Sequence, residues 1–199
     1  KSAQRQGGLA HVLKEPILWL SVAITVLGSF AYGAILTNEA ALVDELAATR
    51  GWGSAAVSIT ALSALVGALV IGWFADRLKF LPLILIEISL LGAGVIGFLA
   101  LYWVAFPAVL FISAICFGVA VGGFEAAVLP NMRRLLSTSH FDSAFGVWYL
   151  CYLGTLFAAP IGAGWIHDIY GSYAPALMIL LGTTFAAFIP ALLMPRRDA

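Results

Sequence analysis

The chain has 199 residues, of which 62% are hydrophobic and 10% are charged, and its formal net charge is zero. Soluble domains carry about 25% charged residues, so this composition, with a mean hydropathy of +1.03, excludes an ordinary soluble domain and indicates a protein of the lipid bilayer. The basic residues are too scattered for a nucleic-acid partner.

Six apolar stretches are each long enough to cross a membrane, which takes about 20 mostly apolar residues. Lipid offers no hydrogen-bond partners to the backbone, so stretches of this length are expected to be helices. The sequence therefore predicts an all-α bundle over residues 17–194, with a lead-in or linker over 1–16 and a short tail over 195–199. The predicted spans are 17–37, 55–75, 81–101, 108–129, 144–166 and 174–194.

Basic residues are distributed unevenly between the two sides that this topology creates. Nine of the ten lie on the side of the two termini, and Arg50 lies on the other. The positive-inside rule then predicts cytoplasmic termini, in a plasma membrane or a bacterial inner membrane. The nine are Lys1, Arg5, Lys14, Arg77, Lys79, Arg133, Arg134, Arg196 and Arg197.

A charged turn occurs twice along the chain. Gly72 and Trp73 are followed by Asp76, and Gly164 and Trp165 are followed at the same spacing by Asp168. Three apolar spans separate the two turns, so we expect them on opposite faces of the membrane. This arrangement is typical of the inverted-topology repeats of secondary transporters, and it predicts two inverted repeats of three helices each.

The first turn carries a family resemblance. Gly72, Asp76, Arg77 and Lys79, in the pattern Gly-x-x-x-Asp-Arg-x-Lys, resemble the signature turn between the second and third helices of a six-helix half in the major facilitator superfamily. The resemblance extends from Pro16 to the end of the chain, and it is to the carboxyl-terminal half of such a transporter.

The second turn narrows the resemblance to one branch. Pro160, Gly162, Gly164 and Asp168, followed by a Gly-Ser-Tyr sequence, are similar to the end of the penultimate helix of the family, especially in monocarboxylate and oxalate–formate carriers. Carriers of monocarboxylates also place an arginine in the second helix of this half. Residues 55–75 contain no arginine, which argues against an organic anion as the solute.

The resemblance implies a secondary active transporter, not an enzyme, that moves a small solute by alternating access without a cofactor. Its fold would have twelve helices in two halves, in which the first and fourth helices of each half line the cavity. By that analogy Ser29, Tyr32 and Glu125 face the substrate path, with Trp148 and Tyr152 beside it. The second and fifth helices would meet the other half, and the third and sixth would lie outside.

Carboxyl groups in the spans leave alternatives open. A carboxyl inside a membrane is a functional candidate by default, so Glu125 is interpreted as a proton carrier or substrate contact. The alternative is a structural ion pair with Arg133 or Arg134. Glu87, on an outer helix, is expected to reach toward Arg77 or Lys79 at its end of the bundle.

The charged turn at Asp76 and Arg77 also has two interpretations. One is a conformational latch, in which the aspartate lies against the positive end of a helix in the other half. The other is an ordinary charged turn. His11 and His140 lack ligand spacing, so no metal site is predicted.

Six helices are half the number that the family fold requires. The chain begins with Lys rather than Met, and we expect its partner to be a missing amino-terminal six-helix half. Alternatives are a half-size transporter that pairs with a second copy, and a membrane scaffold that transports nothing.

Overall fold

The computed structural model describes residues 11–46, 49–104, 106–135 and 141–195, except for the side chains of Asn131, Arg134 and Leu135. Within these ranges the chain forms helices and no strand, which confirms the predicted all-α class. The helices are α1 (Pro16–Glu45), α2 (Gly53–Ala75), α3 (Phe80–Ala100), α4 (Pro107–Leu135), α5 (Phe141–Tyr170), α6 (Ala174–Ala186) and α7 (Phe188–Leu193).

Six helical segments of the described chain are long and apolar enough to cross a membrane, with α6 and α7 together forming one of them. The predicted membrane bundle is therefore confirmed. Helices α1 and α5 each have 30 residues, or about 45 Å at 1.5 Å per residue. The hydrocarbon core is about 30 Å thick, so both helices are long enough to project beyond it.

The last span differs from the single helix predicted over 174–194. Regular helical hydrogen bonding is interrupted at Ala187, between α6 and α7, although the backbone there stays helical at φ −64° and ψ −20°. Pro190 explains the break, because it has no N–H to donate to the carbonyl of Ala186 and its ring crowds that carbonyl.

Glycines bring α4 close to α2. A Cβ added to Gly118 or Gly122 would overlap the backbone of Thr60 or Ala64, and one added to Gly67 would overlap the backbone of Val119. Small residues permit this close approach of two helices in membranes. Of all the helix pairs, α2 and α4 share the most extensive interface.

The pairing of helices follows the predicted repeat. Helix α2 packs mainly on α4, and α1 packs mainly on α5. In an inverted repeat, the first, second and third spans correspond to the fourth, fifth and sixth. The pair of α2 with α4 therefore corresponds to the pair of α5 with α1, and both pairs are observed. The third and sixth spans also contact each other.

The two Gly-Trp-x-x-Asp turns lie at opposite ends of the bundle. Glu45, at the end of α1, accepts hydrogen bonds from Tyr102 and from the backbone of Tyr173, which places the Asp168 turn at that end. Helix α2 runs away from that end and finishes at Ala75. The copies differ in detail, because α5 continues past Asp168 until Gly171, at φ +67°, ends it.

Two faces of the bundle lack apolar neighbours within the described chain. In the apolar windows of α2 and α5, 22% and 28% of residues are buried, compared with 56% in α1. The exposed large side chains of these two helices include Leu62, Leu65, Leu69, Trp73, Leu150, Phe157, Ile161 and Trp165.

Candidate functional site

Helix α1 contributes one polar face to the candidate site. Thr25, Ser29 and Tyr32 lie three and four residues apart, so they share that face. Thr25 and Ser29 are buried, and the Ser29 hydroxyl donates to the Thr25 carbonyl within the helix. Tyr32 is half-buried. Of these three, Tyr32 is therefore the most open to its surroundings.

Helix α5 contributes a ladder of aromatic rings. Trp148 stacks on Tyr152, with ring centroids 5.5 Å apart, and on Phe145 at 6.0 Å. Tyr149 lies 5.4 Å from Phe145 and is 38% exposed. Aromatic pairs at such spacing stabilise beyond their buried area, so this stretch of α5 is a stiff support.

Glu125 of α4 meets both helices. The Glu125 carboxylate lies close enough to the side chains of Tyr32 and Tyr152 to interact electrostatically with both. The rings of Tyr32 and Tyr152 are 6.5 Å apart. Each tyrosine has one O–H to donate and a carboxylate offers acceptors, so the three groups are chemically complementary.

The five residues predicted to line or flank the path differ in exposure. Glu125 is exposed and Tyr32 is half-buried, so these two reach the open face of the bundle. Ser29, Trp148 and Tyr152 are 2%, 0% and 4% exposed. In this conformation the buried three hold the site together and do not reach that face.

Arg133, one of the two arginines predicted as an alternative partner of Glu125, has an aromatic neighbour. The Arg133 guanidinium lies 5.0 Å from the centre of the Phe141 ring, an arrangement suited to a cation–π interaction. The predicted alternative partner Arg134 has a side chain outside the described part of the structure.

The charged turn after α2 is exposed. Asp76, Arg77 and Lys79 are all open to the surroundings. The Arg77 guanidinium lies 3.7 Å from the centre of the Trp73 ring and donates to the Trp73 carbonyl at 3.1 Å. Gly72 has ample space, since an added Cβ would be 3.9 Å from Ala126. Arg77 is therefore held on its own helix.

The residues predicted as a packing turn lie within the last turns of α5. Pro160 is inside the helix, and an added Cβ at Gly162 or Gly164 would have no atom of the described chain within 4 Å. These glycines therefore do not support helix packing inside the described bundle. Asp168 is exposed, 3.8 Å from the Nδ1 atom of His167.

Two carboxyl groups, those of Glu87 and Glu39, are buried in the structure. Glu87 was expected to reach toward Arg77 or Lys79, but it is 1% exposed and lies against Gly123 of α4. Neither of its oxygens has a hydrogen-bond partner in the described structure. Glu39 lies after the first predicted span, 17–37, yet it is 0% exposed. Its spacing of seven residues from Tyr32 is the sequence signal for a shared helix face.

A polar network ties the loops together at the end of the bundle where α1 finishes. Glu45 accepts from the Tyr102 hydroxyl and the Tyr173 N–H, each at 3.2 Å, and its Oε2 atom is 3.7 Å from His167. The Tyr173 hydroxyl reaches Asn38 at 3.4 Å. Burial, together with the nearby Glu45 carboxylate, raises the pKa of Tyr102 to about 12. Burial, Glu45 and Asp168 also raise the pKa of Tyr173.

Metal binding finds no support in the part of the chain that the structure describes. It contains no group of three or more His, Cys, Asp or Glu side chains arranged to hold an ion. The polar groups brought together at Glu125 are instead suited to hydrogen bonding with a small solute.

Comparison with known proteins identifies the family. No curated protein matches the chain in sequence. The family model described as Major Facilitator Superfamily matches residues 5–199, which is nearly the whole chain. Members of this family carry small solutes across membranes and are not enzymes. The chain therefore belongs to the major facilitator superfamily, as an integral multi-pass membrane protein of small-solute transport.

Proposed function

We propose that the chain is one half of a secondary active transporter that moves a small polar solute by alternating access. The observation that carries this proposal is that Tyr32 and Glu125, from two different helices, reach the open face of the bundle, with Tyr152 of a third helix buried next to both. Convergent polar groups in an otherwise apolar setting are the usual mark of a small-molecule site.

Glu125 is the direct solute contact in this proposal. Its carboxylate is exposed, and a carboxylate offers acceptors but no donor. The solute therefore presents hydrogen-bond donors or a positive charge toward it. This requirement, and the absence of arginine from α2, favour an amine or a hydroxylated solute over a monocarboxylate, although the turn at 160–173 resembles that branch.

Buried residues position the contact groups. Trp148 donates to Thr25 at 2.7 Å, which fixes α5 on α1 and sets the separation of the Tyr32 and Tyr152 rings. Ser29, one turn from Tyr32, keeps its hydroxyl engaged within α1. In our proposal these groups shape the path without touching the solute in this conformation.

The exposed apolar faces of α2 and α5 support a partner of equal size. More than half of the surface is exposed in the described chain for each of Leu65, Leu69, Leu150, Phe157 and Ile161. We propose that the covering partner is a preceding amino-terminal six-helix half, so that this chain is the carboxyl-terminal half. Gly162 and Gly164, which have open space around them, would allow that half to approach α5 closely.

Charge supports the orientation. With nine basic residues on the side of the termini and Arg50 on the other, both termini are placed in the cytoplasm. The turn with Asp76, Arg77 and Lys79 then lies at the cytoplasmic gate, together with Arg133 and Arg134. We propose that Asp76 docks on the other half when this gate closes.

Solute flux tests the proposal. Proteoliposomes that contain the full protein are exposed to pools of labelled amines, sugars, amino acids and carboxylates, and uptake is compared with that of empty liposomes. We expect an amine or sugar pool to enter, and Glu125→Gln to reduce the rate by about tenfold or more, as the loss of a charged hydrogen bond implies. Asp142→Asn, which neutralises an exposed acid of α5, is the matched control.

Three results would count against this assignment. Uptake that is equal in the parent and Glu125→Gln removes the role of Glu125. If no pool enters above the empty-liposome rate, the scaffold interpretation replaces transport. Two copies of the chain with different tags can also be expressed together and purified in mild detergent. If they are recovered together, and no distinct half is found, the partner is a second copy of the chain.

A further inference from the structure

A buried polar junction joins three helices away from the Glu125 face. Glu39 of α1 and Thr60 of α2 are both 0% exposed. The Thr60 hydroxyl lies 2.6 Å from Oε1 of Glu39 and 3.5 Å from the backbone carbonyl of Ala114 on α4. The second carboxyl oxygen of Glu39, Oε2, has no hydrogen-bond partner among the described residues.

Counting protons shows which form of Glu39 suits this junction. A threonine hydroxyl has one O–H to donate. If Glu39 is ionised, that O–H serves Oε1, and Ala114 receives nothing from Thr60. If Glu39 is protonated on Oε1, it donates to the Thr60 oxygen, and the Thr60 O–H is released toward the Ala114 carbonyl. The protonated form therefore connects α1, α2 and α4 in one chain of hydrogen bonds.

Within the described part of the chain, the helices around Glu39 provide no compensating charge. Helix α2 contains no charged residue, and the first charged residue of α4 is Glu125, eleven positions after Ala114. That distance is about 16 Å along the helix. Cys116 is the titratable side chain of α4 closest in sequence to Ala114. The charged residues of α1 nearest to Glu39 are Asp44 and Glu45.

Those two neighbouring acids are already engaged elsewhere. Asp44 accepts from the N–H groups of Gly51 and Gly53 at 2.8 and 3.1 Å. Glu45 accepts from Tyr102 and Tyr173. On α3 the one acid is Glu87, which lies against Gly123, and α6 has no charged residue. A buried carboxylate without a cation is costly, so Glu39 depends on a bound proton for its place in the bundle.

We propose that Glu39 is a proton-binding site that couples the arrangement of α1, α2 and α4 to pH through Thr60. This inference rests on the proposed alternating access, and it names the coupling ion as a proton bound at a site separate from Glu125. A proton from water binds to Oε1 of Glu39, and the Thr60 O–H turns from Glu39 to Ala114. Release returns the proton to water and reverses that turn.

Access to the site links protonation to helix movement. In this conformation α2 packs against both α1 and α4, and Glu39 is closed to water. It lies six residues before the end of α1, about 9 Å along the helix. A proton therefore enters or leaves when the end of α1 separates from the beginning of α2. An ionised Glu39 favours that separated arrangement.

Infrared spectroscopy tests the protonation state directly. Reconstituted protein in a Glu87→Gln background is compared with the same protein carrying Glu39→Gln, Thr60→Val or Thr60→Ser. We expect Glu39→Gln to remove the stretching band of a protonated carboxyl at neutral pH. Thr60→Val should move that band to higher frequency, since the acid loses its acceptor, and Thr60→Ser should leave it in place. A spectrum that Glu39→Gln does not change, or a band that sodium ions remove at fixed pH, overturns the proposal.

Thiol labelling then tests coupling. Tyr149→Cys is introduced into a protein without Cys116 and Cys151, and the labelling rate of its thiol reports how open the candidate path is. At each pH this rate is divided by the labelling rate of the same thiol in SDS. We expect this normalised rate to change with pH, by at most about tenfold per pH unit for one linked proton. Glu39→Gln and Thr60→Val should abolish the change, whereas Thr60→Ser and Asp142→Asn should keep it.

The outcomes separate this inference from the proposed function. Normalised labelling that keeps its pH dependence in Glu39→Gln overturns the proton site while leaving the Glu125 path intact. A Tyr149→Cys thiol that is labelled equally under all conditions, in a protein whose infrared band behaves as expected, counts against alternating access instead.

Discussion

The indole nitrogen of Trp148 donates a hydrogen bond to the Thr25 hydroxyl at 2.7 Å, and both side chains are 0% exposed. This bond joins α5 to α1 directly beneath the rings of Tyr152 and Tyr32. Together with the contacts of Tyr32 with Tyr152 and of Glu45 with His167, the bond fixes the relative register of the two helices. The geometry of the candidate path therefore depends on a pair of residues that lie outside it.

Thr25→Val should weaken the bundle by removing the acceptor of Trp148 while keeping the shape of residue 25. Hydrogen bonds between membrane helices average about 0.6 kcal/mol and reach about 1.7 kcal/mol. We expect a coupling energy in that range between Thr25→Val and Trp148→Phe, measured as a double-mutant cycle by unfolding in SDS. Strictly additive effects of the two changes would show that the bond contributes nothing to stability.

Gly122→Ala should destabilise the bundle, because the added Cβ would overlap the Ala64 carbonyl on α2. Overpacking a close interface costs about 1–3 kcal/mol, which should appear as a lower Tm in detergent. Gly154→Ala, on α5 with no atom within 4 Å of the added Cβ, is the control. Equal Tm values for the two variants would contradict the close approach of α2 and α4.

Most of the architecture could be predicted from the sequence, because membrane helices are recognisable as long apolar runs. Long apolar runs, a small-residue face at Gly118 and Gly122, and a repeated Gly-Trp-x-x-Asp turn each have one simple structural meaning. The break at Ala187 escaped prediction, since prolines within membrane helices are often tolerated and Pro130 and Pro160 indeed lie inside continuous helices.

The candidate site was harder to predict. The family resemblance indicated that Tyr32, Tyr152 and Glu125 lie at or beside the substrate path, and the structure brings them together. The resemblance gave no information on how deeply each side chain is buried. Trp148 was predicted to lie beside the path, and the structure buries it completely. Glu39 lies after the first apolar run, and the buried Leu42 and Val43 beyond it show that the buried face of α1 continues past that run.

Alkaline pH should weaken the loop network at Glu45. Burial, the largest cause, raises the pKa of Tyr102 from 10.0 to about 12, so the folded protein keeps a proton that the unfolded chain loses. The resulting stability is complete below pH 10 and is lost as pH rises toward about 12. Tm measured across that range should fall less steeply in Tyr102→Phe than in the parent. Identical slopes would contradict the burial of this hydroxyl.

Glu87→Met should stabilise the protein or leave its Tm unchanged. Both oxygens of Glu87 are buried without hydrogen-bond partners in the described structure, and an apolar side chain of similar size removes that cost. Glu87→Lys at the same place should lower Tm strongly, because it would bury an unpaired cation. A large loss of stability in Glu87→Met would indicate a buried partner for this carboxyl.

Two-sided thiol labelling tests the central claim most directly. In the protein without Cys116 and Cys151, Tyr149→Cys is exposed to a membrane-impermeant maleimide from either side of sealed vesicles of opposite orientation, with Leu69→Cys on the apolar face of α2 as the control. Alternating access predicts labelling of Tyr149→Cys from both sides, with a transported solute changing the two rates in opposite directions. Labelling from one side under every condition, unchanged by any solute pool, would contradict a transport path at the Tyr32, Tyr152 and Glu125 face.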